Sequence, residues 1–257
     1  SVLEGAGLDA SDLDERRSVM MQFALNLDEG GAEEMLKVAF SFPIRLIANA
    51  LGTPPKAMIE MAKQHDVPVA ALVGAKEHAL AQKEAGVDIL VAAGGEAGGH
   101  CGEIATMVLI PEVVSVADDT PVLAAGGIVT GAQMAAAMAM GAAGAWCGSV
   151  WLTTAEAEPS PTIKQKLIAA SSRDTVRSRS RTGKPSRQLR SPWTDAWEAG
   201  GAPAPLPMPL QTLVSEPALA AFEKLAEGGH EGAAKLATYW VGQGVGLMNE
   251  TLSAAQV

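Results

Sequence analysis

Between residues 44 and 148 the sequence repeats one unit, a short and nearly uninterrupted apolar run followed by a stretch with helical spacing. The runs at 44–51, 67–73, 88–93, 122–125 and 144–148 alternate with helical text at 55–65, 76–85, 107–117 and 132–140. Strands that are apolar at nearly every position are buried on both faces, and helical crossovers between them make the sheet parallel. Such a sheet, covered on both faces, is either doubly wound or rolled into a barrel. Aromatic residues are only 4% of the chain while glycine numbers 27, so the core must rely on small side chains and close backbone approaches.

This rhythm divides the 257 residues into three parts. Residues 1–42 read as an amphipathic helical segment, with Asp9, Asp12, Asp14 and Glu15 early and Lys37 late. Residues 43–155 carry the βα units, and 156–257 form a C-terminal extension of loops and helices packing on them. Within the extension, 171–192 is rich in Ser and Arg and 200–209 in Gly and Pro, the texture of long loops, before helical spacing returns over 217–248.

A formal charge of −10 argues against nucleic acid or an anionic membrane surface as partner. Residues 120–155 contain no Asp, Glu, Lys or Arg, but Pro121 and repeated glycines interrupt them, so a buried strand, helix and strand is expected there and not a membrane span. Cys101 and Cys147 stand far apart with no CxxC pair, which favours a reducing, cytoplasmic compartment over a disulfide framework or a metal site.

The chemistry concentrates at strand ends. Residues 88–103 read as a strand that runs into five glycines surrounding Glu96 and His100. Glycines at the C-terminal end of a parallel strand let a flat cofactor approach the main chain, and an imidazole can exchange a proton at neutral pH, so His100 is the candidate base. The next two strands also end in glycine, at Gly126-Gly127 and Gly148-Ser149, where backbone N–H groups and a hydroxyl could face a phosphate. Cys101 adjoins His100, yet with no third residue to orient the pair a thiol nucleophile is not expected, and both cysteines read as small buried fillers.

With these residues in view, the chain resembles the FMN-dependent nitronate monooxygenases, formerly called 2-nitropropane dioxygenases, whose relatives include flavin enoyl-acyl-carrier-protein reductases and NADH:quinone reductases. Gly95-Glu-Ala-Gly-Gly-His100 looks like the family's histidine loop, Ala124-Ala-Gly-Gly-Ile128 like its seventh-strand phosphate turn, and Gly148-Ser149 like its eighth. Pro209-Leu-Gln211 and Val241-Gly-Gln-Gly-Val-Gly246 are similar to its C-terminal signatures, so the resemblance spans roughly 44–248. It implies an α/β fold of the (β/α)8 TIM-barrel type with FMN at the C-terminal face. His100 would take a proton from the carbon beside a nitro group or steer the nitronate. FMN contacts fall on Ala93, Gly98, Gly127, Trp146, Cys147, Gly148 and Ser149. The implied substrate is a small molecule, a nitronate or nitroalkane oxidised with oxygen. The alternative is an acyl thioester or quinone reduced with NAD(P)H. A homo-oligomer is compatible with either.

Three departures accompany the resemblance. Counted back from the phosphate turns, the run at 44 is the fourth strand, so only the equivalents of strands 4 to 8 stand in this chain. A fragment of a longer chain is the favoured explanation, ahead of a complementing polypeptide or a truncated, non-catalytic relative. Ala93 occupies a place where many relatives carry Gln or Asp. Leu72 replaces the Lys of the quinone-reductase group, which argues against that subgroup.

Weaker signals remain. Residues 171–192 carry a local charge of +6, which reads as a site for a nucleotide or acyl-CoA phosphate, as an RNA contact, or as a solvated loop pairing with the acidic remainder. Gly242-Gln-Gly-Val-Gly246 lacks the preceding strand of a dinucleotide fingerprint, so a helix packed close is expected instead. Trp193, Trp197, Tyr239 and Trp240 read as core, with a lid over a substrate cavity as the sharper alternative.

Overall fold

In the computed structural model residues 29–257 are described, with side chains from residue 33. The expected helical segment at 1–42 therefore falls largely outside the described residues, and its described part is helix α1 (Glu29–Phe40). The chain forms two units, one of Leu25–Glu96 with Gly102–Cys147, the other containing Ala97–Cys101 and Gly148–Val257. These joints differ from the boundaries at 42/43 and 155/156 suggested by composition.

The first unit follows the βα rhythm. After α1 come β1 (Ile47–Asn49), α2 (Lys56–Gln64), β2 (Val69–Val73), α3 (Lys76–Glu84) and β3 (Ile89–Ala93). The short strand β4 (Gly99–His100) belongs to the other unit, and the first resumes with α4 (Thr106–Ala117), β5 (Val122–Ala125), α5 (Gly131–Ala139) and β6 (Gly144–Ala145). The uncharged stretch at 120–155 thus folds as strand, helix and strand. No helix among the described residues is long and apolar enough to cross a membrane.

All five strands of this unit are parallel, in the order β1-β2-β3-β5-β6, so each is laid down beside the one before. Because βα crossovers are right-handed, adding every strand on the same side puts every helix on one face. The core shows this directly. Val69, Ala71, Val73, Leu90, Ala92 and Val122 pack with Met58, Ile59, Ala79, Leu109 and Val113 of the helices, and Ala124 packs with Ile110 and Ala137. The opposite face holds a separate cluster of strand residues, Ala70, Val91, Ala93 and Ala125, with Leu72 and Trp146 against it. Of the two arrangements expected for a sheet covered on both faces, the helices of this unit pick out one, because they pack on one face. This is the winding of a (β/α)8 barrel wall and not of a doubly wound sheet, with five strands that do not close on themselves among the described residues.

The second unit corrects the reading of 171–192 as loop. After α6 (Pro161–Ala169), strands β7 (Thr175–Ser178) and β8 (Ser186–Leu189) form an antiparallel hairpin, and β4 adds a third strand with His100 opposite Ser186. The run Arg177-Ser-Arg-Ser-Arg181 has strand periodicity written in polar residues. Its serines are buried, at 3% and 0% exposed, and Arg177 and Arg179 point the other way. Helices α7 (Pro192–Glu198), α8 (Leu210–Glu227) and α9 (Glu231–Leu236) follow. Trp193 packs edge-on against Trp197 at 5.9 Å and Phe222 at 5.4 Å, which makes it core as expected. The helix expected to begin near 217 starts at Leu210, and the glycine-rich segment near 242 forms a short 3-10 turn, Gln243–Leu247, where a packed helix was expected.

At the top of the parallel sheet, close packing fixes the strand ends. Gly94 donates its N–H to the Ala125 carbonyl at 3.0 Å, and a Cβ on it would stand 2.2 Å from Thr106 Oγ1 and 2.6 Å from the Thr106 Cα. Gly94→Ala must therefore push back the start of α4, and a loss of about 1–3 kcal/mol is expected from such overpacking. Gly131→Ala at the start of α5, where a Cβ meets nothing within 4 Å, is expected to be neutral or stabilising. Denaturant midpoints of the two variants check the contrast.

Candidate active site

In the first unit, Ala93 ends β3 facing away from the helices, opposite Ala125 and in one cluster with Trp146. Beside it the chain turns at Gly126 and Gly127, whose φ of +110° and +71° belong to glycine's region of backbone space. Gln133 holds this turn. Its amide donates to the Gly127 carbonyl at 2.9 Å, while its oxygen accepts from the N–H of Val129 and Thr130 in a capping box that starts α5. Thr106 performs the same service between loop and turn, giving its hydroxyl and its N–H to Glu96 Oε2, both at 2.8 Å, with Gly126 O at 3.1 Å from the hydroxyl. Cys147 packs with the helix-side cluster, and burial pushes its thiol up from the ordinary value, so this side chain is a filler. Neither cysteine, however, is fully buried.

The second unit gathers Gly98, His100 and Ser149 around the segment Trp240-Val241-Gly242. A Cβ on Gly98 would lie 2.7 Å from Gly242 N and 2.9 Å from Val241 Cα, so only glycine admits this approach. Gly242 N–H also donates to Ser149 Oγ at 2.9 Å. The glycine-rich stretch that resembled a dinucleotide fingerprint thus clamps the histidine loop and the serine through its backbone. Gly148, exposed, has nothing within 4 Å of the place its Cβ would occupy.

His100 is partly buried and held at three points. Its backbone lies in β4, its Nε2 is 2.8 Å from Thr182 Oγ1, and its ring is tilted against Trp240 at 6.3 Å. Trp240 is itself covered by Arg181, 4.0 Å above its ring, and Arg181 is paired with Glu216 of α8 at 2.6 Å. Desolvation, reinforced by the charge of Lys184, lowers the His100 pKa below 6.5, so the ring is neutral at neutral pH and can accept a proton.

The positive local charge finds acceptors inside its own unit. Arg179 donates to Gly183 O, Arg181 pairs with Glu216, Arg190 pairs with Asp195 at 2.7 Å, Arg187 reaches Thr175 and Arg177 reaches the Cys101 carbonyl. Trp240 was weighed in the sequence as core or lid, whereas Gln133, Thr106 and Thr182 escaped that reading as site residues. Only Gln133 carried a signal, the Thr130-x-x-Gln133 spacing of a capping box.

The residues present fit an FMN. In the first unit Ala93 and Ala125 leave a low surface beside Trp146; in the second Gly148 has nothing within 4 Å of the place its Cβ would occupy, and Ser149 accepts from Gly242 while retaining its own hydroxyl hydrogen to donate. Comparison with known proteins gives the family. A profile of the nitronate monooxygenase family matches residues 9–257. This chain belongs to the nitronate monooxygenase family. The Mycobacterium tuberculosis protein Rv1533, named only as a monooxygenase, is 56% identical over 234 residues, 91% of this chain and 62% of its own length. A Rhodococcus jostii hydroxy-methyl-oxo-octahydroindene-carboxyl-CoA dehydrogenase is 35% identical over 70% of this chain and 51% of its own length. The chain therefore spans about three fifths to half the length of these relatives. Among solved structures, nitroalkane oxidase from Streptomyces ansochromogenes superposes with a TM-score of 0.76 and 30% identity over 88% of this chain and 65% of that one. FabK from Thermotoga maritima gives 0.73 and 28% over 99% and 84%.

The electrostatic setting of the histidine yields a prediction. Lys184→Met removes the like charge facing the ring, so the His100 pKa is expected to rise towards 6.5, as read by an NMR titration of the ring protons. In the parent chain the folded ring holds its proton more weakly than the unfolded chain does. This histidine therefore makes stability rise with pH between its folded pKa and 6.5, and the slope should flatten in the variant.

Proposed function

We propose that this chain carries the flavin-binding and proton-accepting machinery of an FMN-dependent oxidoreductase that oxidises alkyl nitronates with oxygen. The observation that carries the reading is His100, neutral, partly buried and fixed in orientation by Thr182 and Trp240, on a loop whose Gly98 lies against the backbone of Val241 and Gly242. Family membership and the nitroalkane oxidase neighbour support it. FMN would be held by backbone at Gly127, Gly148 and Cys147, by the Ser149 hydroxyl, and by the surface of Ala93, Gly98 and Trp146. When bound, FMN supplies the two-electron acceptor that no side chain here provides.

The chain's own part is proton chemistry. A neutral nitroalkane is weakly acidic at the carbon beside the nitro group, and an imidazole held within reach removes that proton, leaving the nitronate. His100→Asn keeps the size and one hydrogen-bonding group but abolishes the base. It is expected to retain FMN while turnover of a neutral nitroalkane falls about 10²-fold or more. Turnover of a preformed nitronate, which has no proton to lose, should fall much less. Equal turnover of the nitroalkane by variant and parent would overturn the assignment.

A second reading has its own support, from the octahydroindene-carboxyl-CoA dehydrogenase relative and from FabK, which aligns over 99% of this chain. In it the same scaffold reduces an acyl thioester or quinone with electrons from NAD(P)H. Anaerobic addition separates the two. A nitronate that bleaches the flavin band supports the oxidase reading, and bleaching by NAD(P)H alone supports the reductase.

A further inference from the structure

Thr182 is buried at the turn that follows β7, and its Oγ1 has three neighbours: the Lys184 carbonyl at 3.2 Å, the Lys184 N–H at 3.3 Å and His100 Nε2 at 2.8 Å. A hydroxyl owns one hydrogen and two lone pairs. The Lys184 carbonyl can only accept, so it takes the hydrogen, and the Lys184 N–H can only donate, so it takes one lone pair. The remaining lone pair faces His100 Nε2, which must then carry a hydrogen. We infer that Thr182 is a positioning residue that holds neutral His100 in the Nε2–H tautomer and presents Nδ1 as its proton-accepting atom.

The other half of the ring agrees. His100 Nδ1 has no hydrogen-bond partner among the described residues. The opposite tautomer would leave a donor stranded there on a partly buried ring and would also take the hydroxyl hydrogen from the Lys184 carbonyl. An unpaired lone pair at Nδ1 is instead what a base offers its substrate. Protonation at Nδ1 leaves the Nε2–H bond to Thr182 intact, so the ring can take and return a proton without moving.

This inference rests on the reading of His100 as a base, but its first test does not use activity. Long-range proton–nitrogen correlation of the ¹⁵N-histidine-labelled chain above pH 8, with His100→Asn to assign the signals, should show a pyrrole-like Nε2 and a pyridine-like Nδ1. A pyrrole-like Nδ1 would overturn the inference whatever the kinetics. Thr182→Val should mix the two tautomers and lower nitroalkane turnover about 10-fold or more, the scale found for groups that orient a histidine, while Thr182→Ser should restore both. Loss of turnover in Thr182→Val with an unchanged tautomer would also overturn it. If the wild-type tautomer is as stated but His100→Asn keeps full turnover, the base reading fails and the tautomer assignment stands.

Discussion

The candidate site depends on places where main chain meets main chain with no room for a side-chain atom. Gly98 against Val241 and Gly242 brings the histidine loop onto the C-terminal segment, and Gly94 against Thr106 seats α4 between two strand ends. Each approach puts backbone hydrogen-bonding groups within reach of side chains that then set direction: Gly242 N–H reaches Ser149, and Thr106 reaches Glu96 and Gly126. Remove the approach and those polar groups lose partners that buried groups cannot afford to lose. The scarcity of aromatic residues has the same origin, since backbones that touch leave little volume for large rings.

The parallel sheet was legible because its strands are apolar runs and its helices keep an apolar stripe, signals that survive without tertiary context. Strand limits such as Val122–Ala125 agree with the text for that reason. The hairpin β7–β8 was not legible as a sheet, because its inward positions are Ser178, Ser180 and Ser186, whose burial depends on neighbours distant in sequence. His100 could be found from its glycines, whereas Thr182, 82 positions away, could not. Its only mark is one hydroxyl in a stretch full of hydroxyls. The glycine-rich tail shows the opposite hazard, a motif that suggests nucleotide binding and instead works as a backbone clamp.

Charge follows a related logic. The arginines of the hairpin are concentrated in sequence but dispersed in use, since each reaches a carbonyl, hydroxyl or carboxylate of its own unit. Arg181 is the most deeply placed, stacked on Trp240 and held by Glu216, so it stiffens the aromatic wall beside His100. Lys184, exposed on the same turn, keeps its charge in solvent while still disfavouring a proton on the ring. A neutral histidine is thereby maintained by burial first and by one like charge second.

Winding every helix onto one side of the sheet also decides what the other side is made of. That face is surfaced at its upper end by alanines, Ala93 and Ala125, with Ala70 lower down. Each of these alanines has a single side-chain carbon, so exchanging one for valine adds two carbons to a face that Leu72 and Trp146 already share. Such exchanges leave untouched the three-stranded sheet of the other unit, where His100 is held by Thr182 and Trp240.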